Sequence, residues 1–272
     1  MQLLLWYTKS TKSGGFPMNK RTFLKFFALT SSSLILANEH EPSSAVHHAV
    51  PNTQELQEIA KKMFGEVISQ NDYYVNHHGS TFFEKLKNGQ NPRATVIGCS
   101  DSRFQSDSLD ATAENDLFII RNIGNQFSSN MGSVEYGVRH LNTPLLIIVG
   151  HSRCGAIKAA LSDYSEEGPH IIHELDSLSL AVRKTSLMGT DETKWLAAVV
   201  SNVHQQVYYA EKEFKGDIES GKLTVVGVVY DLANDFNHGY GRLKIVNING
   251  ESNPEKMIEF PLMKSLFKPV HV

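Results

Sequence analysis

With 272 residues, 41% of them hydrophobic and 20% charged, the chain has the composition of a globular protein and is long enough for one large domain or two small ones. A formal net charge of −3 gives no basis for a phosphate-binding surface, which argues against nucleic acid as a partner. No run of about 18 consecutive apolar residues occurs, so a stable membrane span is not expected.

Residues 1–50 read as a leader and linker, and residues 51–272 as the folded domain. After Met18 come Asn19, Lys20 and Arg21, then a modest apolar stretch through Ala37. A basic start followed by a short apolar segment is the layout of an export signal. Lys20-Arg21-Thr22-Phe23-Leu24-Lys25 resembles a twin-arginine signal with lysine in the first arginine position. The expected location is therefore periplasmic or exported, and cytoplasmic if the leader is not functional. Residues 38–52, with Pro42, Pro51 and His47-His48, read as a polar linker.

In the folded part, Thr53 is expected to cap a helix to about Ser69, with Leu56, Ile59, Met63 and Val67 on one face. A short helix over 82–86 ends near Asn88-Gly89. Residues 94–98, 117–120, 145–149 and 223–229 are strand-length runs rich in β-branched residues, as for strands buried on both faces. Residues 241–246 read as a fifth strand at an edge. Helices are expected over 133–141, 155–161, 171–185 and 191–214, the last capped by Thr190. The alternation implies an α/β fold: a mostly parallel β-sheet of four to five strands flanked by helices. Ligands of such sheets bind at the carboxyl ends of the strands.

The only two cysteines, Cys99 and Cys154, fall at such ends. Cys99 closes the 94–98 run, and His151-Ser152-Arg153-Cys154 follows the 145–149 run and Gly150. His151 and Cys154 are three apart, a spacing that one turn aims at a single point. Cys99, Asp101 and Arg103 are each two apart, so in extended backbone they point the same way. Gly98 and Gly155 flank the cysteines and would permit close backbone approach. Two thiolates and one imidazole select zinc, and three protein ligands leave a fourth position open for catalysis. Zinc lowers the pKa of water from about 15.7 to about 7, roughly 12 kcal/mol of differential stabilisation of hydroxide. Three other arrangements remain open on spacing alone: a structural zinc with Asp101 as fourth ligand, a Cys99–Cys154 disulfide, and two ordinary buried cysteines. Arg153, between two ligands, is expected to point to solvent or an interface. His77, His78, His170, His173 and His238 read as surface residues.

Cys99-Ser100-Asp101-Ser102-Arg103 together with His151-x-x-Cys154-Gly155 resembles the paired signature of the β-class carbonic anhydrases. The likeness extends to Gln90-Asn91-Pro92-Arg93, Asp116 through Asn122, Gly124-Asn125, and Ser133 through Val138. It implies a zinc lyase that hydrates carbon dioxide reversibly to bicarbonate and a proton through zinc-bound hydroxide, with Cys99, His151 and Cys154 as ligands. It implies that Asp101 accepts a hydrogen bond from the zinc-bound water and that Arg103 pairs with Asp101 to keep it ionised. Gln90 matches a substrate-binding position, and Phe118 is a candidate for the apolar pocket wall. Family members form homodimers or homotetramers with N-terminal helices embracing the partner, and the helix from Thr53 is the candidate here. Two alternatives stand beside this reading: a related hydrolase of carbonyl sulfide or carbon disulfide, and a non-catalytic zinc-stabilised binding subunit.

Overall fold

The structure, a computed structural model, describes residues 52–183, 185 and 189–266. The leader and twin-arginine-like segment expected in residues 1–50 lie outside the described residues. The chain divides into two compact units, Met1–Gln70 and Asn71–Val272.

The first helix, α1 (Thr53–Leu86), starts where expected but is capped differently. Asn52, not Thr53, supplies the cap. Its Oδ1 accepts from the N–H groups of Gln54 and Glu55 at 3.0 Å each. The Glu55 carboxylate accepts in return from the Asn52 N–H at 2.9 Å, a reciprocal capping box. Leu56, Ile59, Met63, Phe64, Val67 and Ile68 are all exposed on this helix.

The helical assignment does not stop at Ser69. Residues 70–78 contain no glycine or proline, and Tyr73 stacks on His77, and Tyr74 on His78, with ring centroids 4.0 Å apart. Such i, i+4 pairs sustain helix without an apolar period. The break comes at Gly79, whose φ of 69° and ψ of 170° are non-helical, and helix resumes to Leu86.

The sheet has five strands in the order β2-β1-β3-β4-β5: β1 (Ala94–Cys99), β2 (Leu117–Asn122), β3 (Leu145–His151), β4 (Thr224–Asp231) and β5 (Arg242–Ile248). The first four are parallel, and β5 runs antiparallel at the edge. The β1 strand is buried along its whole length, which is why its sequence is largely apolar rather than alternating. Helices join β2 to β3, through α2 (Met131–Glu135) continued by a π-type turn over Tyr136–His140, and β3 to β4, through α3 (Gly155–Ala160), α4 (Pro169–Arg183), α5 (Asp191–Glu213) and α6 (Lys215–Glu219). Two short helices, α7 (Pro254–Met257) and α8 (Pro261–Leu266), follow β5. The Thr190 hydroxyl caps α5 by accepting from the Thr193 N–H.

One sheet face packs Ile97, Leu146, Ile148, Val225 and Val229 against Leu178 of α4 and Val199, Val203 and Val207 of α5. The other face groups Val96, Val149, Val226 and Val228 with Phe104 and leaves an apolar cavity of about 470 Å³, lined in part by Leu117, Leu145, Ile147 and Leu262. Among the described residues, no helix is long and apolar enough to cross a membrane.

Candidate metal centre

Strands β1 and β3 lie side by side in parallel, with Gly98 opposite Val149. The residues that follow, Cys99 on one strand and Gly150-His151 on the other, therefore emerge at the same sheet edge. His151 ends β3, and a tight turn through Ser152 and Arg153 brings Cys154 back to the start of α3. The turn requires Arg153 to adopt φ +60°, a left-handed conformation costing about 1–2 kcal/mol for a non-glycine residue.

The ligand atoms of Cys99, His151 and Cys154 all lie within 4.8 Å of one another, and all three residues are buried. Among the described residues this is the one such buried Cys/His group. The two Sγ atoms are 4.0 Å apart. A disulfide would bring them to about 2.05 Å, whereas two thiolates at about 2.3 Å from one tetrahedral zinc stand about 3.8 Å apart. The observed separation fits the metal. The His151 Nδ1 lies 3.1 Å from the Ser152 carbonyl, its natural acceptor. That fixes the tautomer and leaves Nε2 a bare lone pair, buried and without a hydrogen-bond partner. Such an orphan costs about 1–3 kcal/mol unless a cation takes it.

Asp101 stands beside the cluster without joining it. Its Oδ2 is 3.8 Å from His151 Nε2, but both carboxylate oxygens are held by Arg103. Nε donates to Oδ1 at 2.9 Å and Nη2 to Oδ2 at 2.7 Å, and the Arg103 backbone N–H adds a bond to Oδ1 at 3.0 Å. The arginine hydrogen bonds hold the Asp101 carboxyl far below the usual carboxylate range, against a smaller opposing effect of burial. So engaged, Asp101 stands outside the Cys99, His151 and Cys154 donor group, which would leave a metal held there a fourth position.

The two sulfurs lie within hydrogen-bond reach of each other. The hydrogen bond between them pulls Cys99 down to about 4, against burial, with further help from the backbone N–H groups of Gly124 and Asp101. The same hydrogen bond, then burial, pushes Cys154 up. A divalent cation removes the competition because both sulfurs can then be thiolates.

Several supports were invisible to spacing. Arg121, on β2, donates from Nε to the Cys99 carbonyl at 3.0 Å and from Nη2 to the Asp101 carbonyl at 2.8 Å, bracing the first ligand loop. The Trp195 indole on α5 donates to the Cys154 carbonyl at 2.9 Å. Ser152 takes the backbone N–H of Ala233 on its hydroxyl at 3.1 Å. Arg121 and Ser152 lie in the sequence motifs named above, whereas no motif contains Trp195 or the 232–236 loop.

Of the flanking glycines, Gly98 is required by packing, since a Cβ there would sit 2.3 Å from the Phe104 ring. Gly155 is not, for a Cβ would meet nothing within 4 Å. The glycine that does matter on the second loop is Gly150, where a Cβ would lie 2.6 Å from Val203 of α5. Arg153 does not point free to solvent. Its Nη2 donates to Asp235 at 2.9 Å, and its guanidinium lies 5.6 Å from the Trp195 ring centroid.

Gln90 is exposed and precedes β1, whereas Cys99 ends it. Within one chain the length of that strand, about 17 Å, separates Gln90 from the metal cluster. Phe118 pairs with Thr95 near the start of β2 and packs on Tyr136 at 5.9 Å, four residues before the sheet edge that carries the cluster. His77, His78, His170, His173 and His238 are exposed, as expected.

With this geometry in hand, likeness to known proteins is specific. The sequence profile of the carbonic anhydrase family matches residues 94–236, which contain all three cysteine and histidine ligands. A carbonic anhydrase of Mycolicibacterium smegmatis is 33% identical over 156 residues, spanning 55% of this chain and 75% of that protein. Carbonic anhydrase 2 of Mycobacterium tuberculosis is 32% identical over 157 residues, 54% of this chain and 73% of that protein. Among solved structures, a tetrameric β-carbonic anhydrase of Sordaria macrospora superposes with a TM-score of 0.61 at 26% identity, covering 68% of this chain and 98% of that one. The Coccomyxa β-carbonic anhydrase gives a TM-score of 0.54 at 25% identity, covering 80% and 97%.

Proposed function

Since the chain belongs to the β-carbonic anhydrase family, we propose that Asp101, Arg103 and Gln90 serve the reversible hydration of carbon dioxide at a zinc ion held by Cys99, His151 and Cys154. The chain is a zinc-dependent lyase of that family. When bound, zinc lowers the pKa of water to about 7 and so supplies an oxygen nucleophile at neutral pH. The observation that carries the assignment is the buried triangle of donors, within 4.8 Å of one another, whose imidazole Nε2 has no other partner.

The remaining work falls to the chain's own groups. Asp101, kept ionised by Arg103, can accept a hydrogen bond from the reacting solvent and so orient an oxygen lone pair toward carbon. Arg103 spends both faces of its fork on Asp101 and so fixes the carboxylate in one orientation. Burial of the three ligand side chains keeps bulk water from competing.

The family relatives are named carbonic anhydrases, so hydrolysis of carbonyl sulfide or carbon disulfide is not favoured, and a non-catalytic zinc subunit is not favoured either. Stopped-flow measurement of carbon dioxide hydration, beside hydrolysis of the two sulfur analogues, tests the substrate. Carbon dioxide is expected to be turned over far faster than either; a preference for a sulfur analogue would reverse the assignment.

We also propose that the active form is a homodimer or homotetramer. The Sordaria macrospora relative is tetrameric. The apolar residues exposed on α1 and the open apolar cavity on one sheet face are surface that a second copy can bury. Gln90, a strand's length from the cluster of its own chain, would reach substrate from a neighbouring copy. Sedimentation analysis tests the assembly, with a monomer at working concentration as the contrary result. The folded part is proposed to be one catalytic domain over 51–272. Residues 1–50 are proposed as an export leader followed by a linker, to be tested by fractionating cells that express the full chain or a Lys20→Gln, Arg21→Gln variant.

A further inference from the structure

Arg153 is placed by both its backbone and its side chain. The left-handed φ of +60° turns its carbonyl toward the first ligand loop, where it accepts from Arg103 Nη2 at 3.0 Å. That same Nη2 donates to Asp101 Oδ2 at 2.7 Å. The Arg153 side chain runs the other way, to Asp235 at 2.9 Å, and its guanidinium lies 5.6 Å from the centroid of the Trp195 ring.

The far end of this link is built, not incidental. Asp231, the buried last residue of β4, accepts from the N–H groups of Asp235 and Phe236 at 2.9 Å each. Ala233 N–H donates to Ser152 Oγ, and the Ser152 N–H to the Tyr230 carbonyl. The 232–236 loop is thereby fastened to the sheet and presents the Asp235 carboxylate to Arg153. The ion-paired side chains are only partly exposed, 31% for Arg153 and 14% for Asp235, so solvent competes weakly for them.

We propose that Asp235 and Arg153 form a latch that positions the Asp101–Arg103 pair, the Arg153 carbonyl setting where the Arg103 fork stands. Neither residue touches the reacting atoms; both are positioning residues acting through Arg103. The inference rests on the carbonic anhydrase reading of the site. It assigns a purpose to a strained arginine between two ligands and to a carboxylate 82 residues away in sequence.

The test compares Asp235→Ala, Arg153→Gln and the double variant, as full chains loaded with zinc. Each single change is expected to lower kcat/KM for carbon dioxide by about 10- to 100-fold, with zinc content unchanged and the loss carried by kcat. The double variant is expected to fall no further than the worse single, and Asp235→Glu to recover most of the rate. Independently of turnover, NMR is expected to show loss of the slowly exchanging Arg103 Nε–H signal in both single variants. Arg153→Gln leaves the loop around Asp231 whole, so it reads the latch even if Asp235→Ala fails to fold. Wild-type rate with a protected Arg103 Nε–H in Arg153→Gln would overturn the proposal, as would losses that multiply in the double variant. A zinc-loaded wild type that does not hydrate carbon dioxide would instead overturn the function, and the Arg103 signal would still decide the latch.

Discussion

The Trp195 indole N–H donates to the Cys154 carbonyl at 2.9 Å, joining α5 to the second ligand loop. The same carbonyl also accepts the first helical bond of α3, from the Lys158 N–H at 3.1 Å, so the indole is its second donor. Trp195→Phe keeps the ring and deletes the donor. It is expected to lower unfolding free energy by about 0.5–1.5 kcal/mol, the net worth of one hydrogen bond to a carbonyl that keeps its second donor, and to weaken zinc retention. Urea denaturation and competition with a chelator measure the two effects; unchanged values in both would mean the bond carries nothing.

Gly150 and Gly155 flank the same loop but are under opposite constraints. A Cβ at Gly150 would meet Val203 Cγ2 at 2.6 Å, while one at Gly155 meets nothing within 4 Å. Gly150→Ala is expected to push α5 off β3 and cost about 1–3 kcal/mol. Gly155→Ala is expected to be neutral or slightly stabilising, because it sits in the first turn of α3. Thermal denaturation of the pair checks the contrast, and equal effects would contradict the packing described.

His204 makes stability depend on pH. Asn247 Oδ1 accepts from the Gly250 N–H at 2.9 Å, which turns the Asn247 amide N–H toward His204 Nδ1 at 3.0 Å. The ring must therefore accept at Nδ1 and be neutral, and burial lowers its pKa below the ordinary 6.5. The folded state then binds fewer protons than the unfolded one. Its full stability is present above the unfolded pKa and declines as pH falls below it, at no more than about 1.4 kcal/mol per pH unit. Urea titrations of wild type and His204→Gln at about pH 7.5 and 5.5 are expected to show the steeper loss in wild type. Parallel losses would remove His204 as the cause.

Asp101→Asn separates orientation from metal binding. Both Asp101 oxygens face Arg103, and the ligand atoms come from other residues. The variant is expected to keep its zinc and lose about 10- to 100-fold in kcat/KM. Loss of zinc instead would make Asp101 a ligand.

The fold was legible where local chemistry repeats. Buried strands write themselves as continuous β-branched runs, and the two strand ends carrying Cys99 and His151 could be paired because parallel sheets gather ligands at one edge. The extent of α1 was not legible, because tyrosine–histidine pairs rather than an apolar period carry it past Ser69. Asn52 and Thr53 satisfy the same cap preference, so residue type alone does not choose the Asn52 cap that forms. The Asp235–Arg153 contact spans 82 residues and leaves no periodic trace. The exposed apolar residues of α1 were legible as an amphipathic face, but not what covers that face.

The account's central claim is that Cys99, His151 and Cys154 hold one zinc ion on which hydration of carbon dioxide depends. Purified protein and a Cys154→Ser variant should be assayed for zinc content and carbon dioxide hydration in the same preparation. The account predicts about one zinc per chain and fast hydration in the wild type, with both lost in the variant. Equal zinc and equal rates in the two proteins would contradict it.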